Sequence, residues 1–398
     1  MHETGLKLER LAAKLDAGAP LKIMIIGLGS VGNYLLDYLL SWPETNVELH
    51  LCGRAPEKME PGINIARVAN LIRHNRTKKI RIHRLDLEKA EEVAAVLGAV
   101  EPDFIVNSSR VYSGLKYGSI SWKNVRAYGL WSPLSVMFIR NIMRACQRIE
   151  CPGLVINTSY SDVVNPWLKS AGLPCPDFGS GNLNHLVPRI QLAVAAQAGI
   201  ADPGAVEVVL ATGHFHDVVI SKEGHTEGVD PLIHLACGGQ ELKPDLAAIY
   251  RQCAIPMPVD ARRNMMNASS NFEIIAKTVA AIRTGGVRAL HVPGVAGHLG
   301  GYPVRVDFRP GTPAARHFSF IEDYFPLAEM ERHNRASMQL DGIEGVADGV
   351  LTYTDALREK ARRSFGVTIP KQVPFDAIED VEQFIIHKII LPALGAGA

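Results

Sequence analysis

The sequence predicts an α/β protein whose first half is a doubly wound parallel sheet and whose second half is an α+β domain. Three observations lead to this class. Short apolar runs alternate with helical stretches up to residue 160, a glycine-rich turn follows the first apolar run, and a mixed pattern of helices and strands follows afterwards. Strands that alternate with helices form parallel sheets through right-handed crossovers.

The size of the chain predicts two domains. Its 398 residues exceed what one ordinary hydrophobic core serves, and the change of pattern places the boundary between residues 1–160 and 161–398. Apolar residues make up 47% and charged residues 21%, the balance of a globular protein. The six cysteines form no C-x-x-C pair and no zinc spacing. We therefore interpret the cysteines as reduced thiols and expect no metal site.

Charge and hydropathy limit the classes of partner. A net charge of +1 is too small to attract the protein to nucleic acid or to anionic lipid. No apolar stretch is long enough to cross a bilayer. Leu6, Leu8, Leu11 and Leu15 indicate a short leading helix rather than a signal peptide. The basic segment over residues 73–84 is interrupted by Ile80 and Ile82, which favours a solvated face. We expect a soluble, cytoplasmic protein that binds neither nucleic acid nor membrane.

The first half contains the strands and helices of the predicted parallel sheet. Apolar runs of four to eight residues bounded by turn signals are typical of buried strands. The predicted strands cover residues 22–26, 46–52, 80–85, 103–107 and 153–157. The predicted helices follow the glycine turn, ending near Pro43, and cover residues 62–73, 88–98 and 133–148.

The second half is predicted to mix helices with strands. Residues 206–211 form a strand that runs into residues 213–217, where the strand ends and a loop begins. Two further strands are expected at residues 287–293 and 302–308, and helices at residues 183–199 and 269–283. The last seventy residues read as mostly helical, including residues 355–364 and 377–391.

The glycine turn points to a dinucleotide. Residues 27–32 read G-L-G-S-V-G, which matches G-x-G-x-x-G, and the match leaves a strand and opens a helix, as a Rossmann fold requires. Gly27 allows the tight turn, Gly29 the approach of a pyrophosphate, and Gly32 close packing of helix on strand. The helix N-terminus offers its N–H groups to the phosphates. The alternative is a purely structural glycine turn.

The end of the second strand favours NADP over NAD. NAD enzymes place a carboxylate there to bind the ribose hydroxyls, whereas this chain continues as Gly53-Arg54. Without a carboxylate a 2′-phosphate is not repelled, and the guanidinium of Arg54 could bind it in bidentate fashion. The alternative is a solvated arginine on a loop.

A further loop against the cofactor is predicted at the end of the fourth strand. Residues 107–109 read N-S-S, which suits either a cofactor contact or an ordinary turn. The predicted cofactor-binding residues are Gly27, Gly29, Ser30, Val31, Gly32, Gly53, Arg54, Asn107, Ser108 and Ser109.

From residue 154 onward the chain resembles the lactate/malate dehydrogenase superfamily. Residues 154–162 resemble that family's fifth strand and the N-P-V-D-type segment after it. Residues 171–174 (A-G-L-P) and 179–184 (G-S-G-N-L-N) resemble its S-G-L-P and G-S-G-T-x-L-D stretches. Residues 213–217 (G-H-F-H-D) resemble G-E-H-G-D, whose histidine is the family's acid/base. The resemblance covers residues 22–308 in patches and implies a homodimer or homotetramer.

The resemblance also implies a catalytic site, with departures. Asn184 stands where the family has its catalytic aspartate, Arg189 lies two positions beyond the family's arginine, and an ungapped match places Phe215 on the histidine. Asn157 matches the family asparagine that meets substrate and nicotinamide. The candidate catalytic residues are His214, His216, Asp217, Asn157, Asn184 and Arg189.

Histidine suits the proton transfer that accompanies hydride transfer, because its ordinary pKa is near neutrality. If residues 213–217 are extended, His214 and His216 project on the same face, and Asp217 could orient one of them. The alternative is a structural histidine cluster.

The leading hypothesis is an NADP(H)-dependent oxidoreductase built like a lactate/malate dehydrogenase. It would transfer a hydride between nicotinamide and the carbonyl or imine carbon of a small, acidic substrate. One alternative is an opine- or saccharopine-type dehydrogenase, which joins an amine to a keto acid by reduction. Another is a non-catalytic NADP-binding sensor, for which Asn184 and the shifted histidine would be expected losses.

Overall fold

The structure is a computed structural model and describes residues 1–181 and 183–395. Asn182, part of the G-S-G-N-L-N stretch, lies outside the described residues. Six strands of the described chain form one sheet, in the order β3-β2-β1-β4-β5-β6, and every pairing is parallel. The strands are β1 (Leu21–Ile26), β2 (Val47–Gly53), β3 (Lys79–Arg84), β4 (Phe104–Asn107), β5 (Leu154–Asn157) and β6 (Phe178–Gly179). This order confirms the predicted Rossmann sheet.

The helices of the first half cover the two faces of this sheet. They are α1 (His2–Asp16), α2 (Ser30–Ser41), α3 (Pro56–His74), α4 (Ala90–Val100), α5 (Gly114–Ile120), α6 (Met137–Arg148) and α7 (Ser161–Ser170). Strands β4 and β5 are buried at every position, because helices lie on both sides of them. The five predicted strands are confirmed to within one residue at each end.

The second half contains three small antiparallel sheets, which confirms the predicted α+β class. Their strands are β7 (Val206–Ala211), β8 (Leu232–Cys237) and β9 (Gln240–Glu241), then β10 (Val287–Pro293), β11 (Gly301–Asp307) and β12 (Phe318–Phe320), then β13 (Ile343–Ala347), β14 (Val350–Tyr353) and β15 (Gln372–Pro374). The helices are α8 (Leu183–Ala198), α9 (His214–Glu223), α10 (Leu246–Cys253), α11 (Asn264–Thr284), α12 (Leu327–Leu340), α13 (Asp355–Phe365), α14 (Ile378–Ile385) and α15 (Leu391–Gly395).

The prediction of a loop or an extended segment at residues 213–217 is wrong. Helix α9 begins at His214, directly after β7 and the cap residue Gly213. The apolar side chains of Phe215 and Val219 lie four residues apart and are both buried, which is a helical spacing. The helix ends at Gly224, whose φ of 73° is the left-handed conformation typical of a helix C-terminus.

The expectation of a mostly helical C-terminus is wrong for residues 343–353 and 372–374, which form a hairpin and a third strand, whereas the predicted helix at residues 355–364 is confirmed as α13. Strands β13 and β14 form a hairpin in which Ala347 pairs with Val350, so that Asp348 and Gly349 are its two loop residues. Both loop residues have positive φ (49° and 73°), which is the geometry that Asp-Gly favours in tight hairpins. The pairing of β15 with β14 completes this sheet.

Two helix boundaries also differ from the prediction. Helix α3 begins at Pro56, six residues before the predicted start, because proline is well suited to the first turn of a helix. Helix α6 begins only at Met137, and residues Gly129–Ser135 form a 3₁₀ helix. Pro133 stands inside that 3₁₀ segment, where it cannot donate a backbone hydrogen bond.

Side chains from both halves pack together. Strand β6 joins the parallel sheet from beyond residue 160, and Phe178 of β6 contacts Phe318 of β12 with ring centroids 5.0 Å apart. Helix α1 is fixed to the same region by hydrogen bonds from Thr4 and Lys7 to Asp177, each 2.9 Å long. The domain boundary at residue 160 stays a prediction. Over residues 1–181 and 183–395, every helix is too short or too polar to span a bilayer.

Candidate active site

The three glycines of residues 27–32 meet three different structural demands. Gly27 leaves β1 with a φ of 91°, in the left-handed region that favours glycine. A Cβ at Gly32 would lie 2.2 Å from the carbonyl oxygen of Gly27, so only glycine lets α2 pack this close to β1. A Cβ at Gly29, the N-terminal cap residue of α2, would have no heavy atom within 4 Å. The first turn of α2 therefore faces open space, where its N–H groups can meet an anion.

A cavity with a volume of about 480 Å³ extends from this loop toward the second half of the chain. It lies at the carboxyl ends of β1, β4 and β5, where the strand order reverses between β1 and β4. Open α/β sheets bind their ligands at this position. The near wall contains Gly29, Ser30, Val31, Ser108 and Ser109. The lining from beyond residue 160 contains Asp162, His185, Arg189, His214, Asp217 and Arg263.

Gly53 and Arg54 lie at the end of β2, outside the lining of this cavity. A Cβ at Gly53 would come within 2.5 Å of the sulfur of Met59, so a side chain here would displace the flexible end of Met59. Arg54 is exposed, and the ion pair at this corner joins Arg84 to Glu57 at 3.1 Å. The guanidinium of Arg54 is therefore accessible at the end of the strand next to the glycine loop.

Asn107 and Asn157 are fully buried and connect the ends of β4 and β5. They are register partners, and the Nδ2 group of Asn107 donates to Oδ1 of Asn157 at 3.1 Å. Asn107 Oδ1 accepts from the backbone N–H of Ser109 at 3.2 Å, and Asn157 Nδ2 donates to Asn165 Oδ1 at 2.9 Å. Neither asparagine is part of the described cavity lining. The two side chains shape the loops that form the cavity wall.

His214 is paired with a carboxylate that sequence reasoning did not select. Its Nδ1 atom lies 2.8 Å from Oδ2 of Asp341, the residue that follows helix α12. Both side chains are buried, and His214 lines the cavity. A histidine whose Nδ1–H is held by a carboxylate presents Nε2 for proton exchange, and the carboxylate stabilises the imidazolium form.

Two tyrosines complete the surroundings of this pair. Tyr160 Oη donates to Oδ2 of Asp341 at 2.5 Å, and the backbone N–H of Tyr128 donates to Oδ1 at 2.7 Å. The rings of Tyr128 and Tyr160 pack edge-on against His214, with centroids 4.9 and 5.0 Å away. Tyr160 has a φ of 46°, a strained conformation for a tyrosine.

The charges around His214 raise its pKa. Burial alone lowers the pKa, but attraction by Asp341, the hydrogen bond to Asp341, and the charges of Asp162 and Asp217 outweigh burial. His214 therefore holds its proton to a higher pH than an ordinary histidine does.

His216 does not share this position. Because α9 is helical, side chains two residues apart point in different directions. His216 Nδ1 lies 2.7 Å from Ser337 Oγ, and Nε2 lies 2.9 Å from the carbonyl oxygen of Glu227. It is not among the described residues that line the cavity, and burial lowers its pKa. Both ring nitrogens of His216 are thus held by protein groups.

Asp217 and Asp162 are buried carboxyl groups in the cavity wall. Their side chains belong to residues that are 4% and 1% exposed, and the Oδ1 atom of each has no hydrogen-bond partner. Burial raises the pKa of Asp217 to about 7 and that of Asp162 to about 6, although the positive charge of His214 opposes both shifts.

Of the two candidates on α8, only Arg189 reaches the cavity. Its Nη1 group donates to the carbonyl oxygen of Cys253 at 2.7 Å, which holds the guanidinium in place. Asn184 instead donates from Nδ2 to Glu273 Oε2 at 3.0 Å and is not part of the described lining. Its neighbour His185 does line the cavity, and burial followed by the charge of Arg263 lowers the pKa of His185 to about 3.

The segment over residues 110–131 covers the cavity on one side and is fastened to α9. Trp122 Nε1 donates to Glu223 Oε1 at 2.8 Å, and Arg126 forms ion pairs with Glu223 and Glu227. In the part of the chain that the structure describes, the only three metal-ligating groups whose donor atoms all lie within 4.8 Å are Glu223, His225 and Glu227. Arg126 forms ion pairs with both carboxylates of this group, Glu223 and Glu227.

Sequence reasoning therefore found His214, Asp217 and Arg189 but missed several residues around them. Asp341 lies 127 residues after His214, and no motif connects the two. Asp162 and Tyr160 belong to the segment that resembles the family's fifth strand. The sequence therefore marked this segment, but it did not single out these two side chains. Arg263 precedes α11 with no pattern that marks it.

Comparisons with known proteins return similar structures only. No protein-family model matches the chain, and no curated protein sequence matches it. A lactate dehydrogenase from a deep-sea metagenome library of the Medee basin is 14% identical, with 81% of this chain and 97% of that chain covered and a TM-score of 0.44. The malate dehydrogenase of Cryptosporidium parvum is 12% identical, with 81% and 98% covered and a TM-score of 0.48. The malate dehydrogenase of Plasmodium falciparum, in complex with NADH, is 12% identical, with 87% and 99% covered and a TM-score of 0.45.

These three proteins belong to the superfamily that the sequence resembles. At such identities and TM-scores no property of theirs is transferred to this chain, and the function is argued below from its own residues.

Proposed function

We propose that this chain is an NADP(H)-dependent oxidoreductase that transfers a hydride between nicotinamide and a carbonyl carbon, or its hydroxyl or amine counterpart, in a small acidic substrate. The observation that carries the proposal is the position of the His214–Asp341 pair. It lies in the cavity that begins at the glycine loop, so a dinucleotide-binding turn and an acid/base group share one space. Hydride transfer to a carbonyl needs these two elements together.

The near end of the cavity fits a dinucleotide. Open space in front of Gly29 and the uncapped first turn of α2 suit a pyrophosphate, and Ser30 and Val31 line the same wall. Ser109 extends this wall toward the far end. When bound, the nicotinamide supplies or accepts the hydride.

At the far end, the residues of the chain handle the proton and the acidic group. His214 donates a proton to the reacting oxygen or nitrogen during reduction and accepts one during oxidation. Asp341 stabilises the imidazolium form of His214. Arg189 and Arg263 present positive charge to the same space and suit a carboxylate on the substrate.

Arg54 supports the choice of NADP over NAD. Its exposed guanidinium follows β2, the strand that pairs with β1, and residues Leu51-Cys52-Gly53 before it carry no carboxylate. Arg54→Ala is expected to weaken NADPH binding by about 10–100-fold, because a charge-assisted contact to the 2′-phosphate is lost. NADH, which has no such phosphate, should bind the variant as it binds the wild type.

Fluorescence titration with both cofactors measures this effect. Arg67→Ala is the matched control, since Arg67 is an exposed arginine within α3. It should leave both dissociation constants unchanged. Equal losses for NADPH and NADH in Arg54→Ala would count against a phosphate contact.

The activity itself is tested with purified protein, NADPH and a panel of small carbonyl acids, followed by absorbance at 340 nm. We expect oxidation of NADPH that depends on the carbonyl compound and is lost in His214→Gln. Tight NADPH binding without turnover of any hydroxyl, carbonyl, amine or imine compound would instead indicate a sensor.

A further inference from the structure

Asp217 is buried near His214, and one of its two carboxyl oxygen atoms has no hydrogen-bond partner. It lies three residues after His214 in the first turn of α9, so both side chains project from one face of the helix. Its Oδ1 atom is buried and accepts no hydrogen bond. A buried carboxyl group without a donor is unfavourable by itself and is rare in folded proteins.

Asp162 repeats this situation on a second element. It belongs to the first turn of α7, and its Oδ1 atom is likewise buried without a donor. Both carboxyl groups are close enough to His214 for its charge to affect their pKa values. Two independent elements thus bring carboxyl groups, each with one unpartnered oxygen, to the cavity that His214 also lines.

A hydroxy acid or keto acid gives these groups no partner. Such a substrate has one negative charge, and the proton donor that it needs is already supplied by His214. Two additional carboxylates beside the reacting carbon would repel it. A substrate with a cationic nitrogen instead satisfies the carboxylates, because each N–H group can donate to one of them.

The cavity also contains the positive charge that the other end of such a substrate needs. Arg189 is close enough to Asp217 that its charge lowers the pKa of that carboxyl group, and Arg263 acts in the same direction. Acidic and basic side chains therefore lie next to each other along one wall. This arrangement matches the separated charges of an amino acid.

We propose that the cavity takes a 2-amino acid or an N-substituted amino acid, with Asp217 and Asp162 binding the cationic nitrogen and Arg189 and Arg263 binding the carboxylate. The reaction is then the oxidation of an amine to an imine, or its reverse. This inference rests on the proposed function and specifies its substrate class.

The proton and electron balance assigns a task to each group. Asp217 takes the first proton from the bound ammonium group, which leaves a neutral amine. The amine then loses a hydride from its carbon to oxidised nicotinamide and a proton from its nitrogen to His214, and a C=N double bond forms. Water adds to that bond and releases the keto acid and the free amine. In the reverse direction the imine consumes the hydride and the proton.

The two carboxylates do not belong to a set of three metal-ligating side chains in the described residues. In residues 1–181 and 183–395, the only three ligand groups within 4.8 Å of one another are Glu223, His225 and Glu227. Neither Asp162 nor Asp217 takes part in that set.

The test uses matched triplets of ligands, each an amino acid with the hydroxy acid and keto acid of the same side chain. Alanine, lactate and pyruvate form one triplet, and glutamate, 2-hydroxyglutarate and 2-oxoglutarate another. Reduction of NADP⁺ by the full-length protein is followed at 340 nm. Binding is measured separately by calorimetry in two buffers of different ionisation enthalpy, which reports protons released by Asp217.

We expect an amino acid to bind with release of protons and to reduce NADP⁺ faster than its hydroxy analogue. Asp217→Asn should weaken binding of the amino acid by about 30-fold or more, since a buried charge partner is lost. The same variant should bind the hydroxy acid at least as well as before. Because Asp217 has no hydrogen-bond partner at Oδ1, the amide should fit without loss of a contact there. Asp162→Asn provides a second variant with the same expectation.

Two results would overturn the proposal. One is faster turnover of the hydroxy acid than of its amine. The other is binding of no amino acid in the panel by a protein that still binds NADPH. A protein that binds no NADPH at all would overturn this proposal together with the proposed function.

Discussion

Replacement of His214 by glutamine is expected to lower kcat by about 10²–10⁴-fold, because general acid–base catalysis contributes this much to proton-coupled steps. Glutamine is similar to histidine in volume, so the local packing should survive, but its amide cannot act as a general acid or base. Dissociation constants for NADPH should change little, since His214 belongs to α9 and not to the glycine loop. Steady-state rates and NADPH titrations of the same preparation separate the two effects.

The matched control is His216→Gln. His216 is an equally buried histidine two residues away, but Ser337 and the carbonyl of Glu227 hold both of its ring nitrogens. We expect this variant to lose stability and to keep kcat within a few-fold of the wild type. A large loss of kcat in His216→Gln combined with a small loss of kcat in His214→Gln would show that His216, and not His214, is the acid/base group.

The pH dependence of the wild type follows from the raised pKa of His214. Reduction needs the protonated imidazole, so the reductive rate should be constant at low pH and fall as pH rises through the pKa of His214. Because Asp341, Asp162 and Asp217 raise this pKa against the effect of burial, the fall should occur above the ordinary histidine value. Oxidation needs the neutral imidazole and should show the opposite dependence.

Replacement of Asp341 by asparagine is the second change with a large expected effect. Asparagine has no charge to stabilise the imidazolium, and its Nδ2 group would donate to Nδ1 of His214. That hydrogen bond places the remaining proton on Nε2, which then cannot accept one from the substrate. We expect a loss of kcat of about 10²–10⁴-fold, the range seen where such a carboxylate orients a catalytic histidine.

Three observations distinguish this orienting role from a merely structural one. The pKa seen in the pH–rate profile should fall in Asp341→Asn, because burial then acts on His214 without its main opposing charge. The double variant His214→Gln/Asp341→Asn should be little slower than either single variant, since the two groups act as a unit. Additive losses and an unchanged pH profile would contradict the role assigned to Asp341.

The Rossmann half could be predicted from the sequence because local signals and tertiary structure agree there. Strands β1, β4 and β5 are buried on both faces, so they are continuous apolar runs that end at turn residues. The G-x-G-x-x-G turn could be placed because each glycine is enforced by geometry, as the 2.2 Å approach of Gly32 to Gly27 illustrates. These constraints involve residues that are close together in the chain. A sequence pattern can reveal constraints of this kind.

The second half was predicted less well where a signal was available but not used. The Asp348-Gly349 pair between two short apolar runs is a hairpin signal, and β13 and β14 follow from it. The helical spacing of Phe215 and Val219 and the glycine at position 224 indicate α9.

The carboxylate partner of His214 could not be predicted from sequence. Asp341 meets His214 because α12 ends beside the start of α9, a contact between elements 127 residues apart. The family position for this carboxylate holds Asn184, whose Nδ2 group is engaged by Glu273. A long-range contact of this kind leaves no periodic pattern or fixed spacing in a single sequence.

Titration with NADPH, followed by energy transfer from tryptophan to the nicotinamide, tests the central claim that the glycine loop binds the cofactor beside His214. Trp131 lines the cavity and provides the donor. The decisive comparison is Gly29→Ala with Gly98→Ala, since neither added methyl would meet an atom within 4 Å and both variants should fold. We predict saturable binding to the wild type and to Gly98→Ala, and binding about tenfold weaker or worse to Gly29→Ala, whose methyl group blocks the pyrophosphate. Equal binding by all three proteins, or none by the wild type, would contradict the claim.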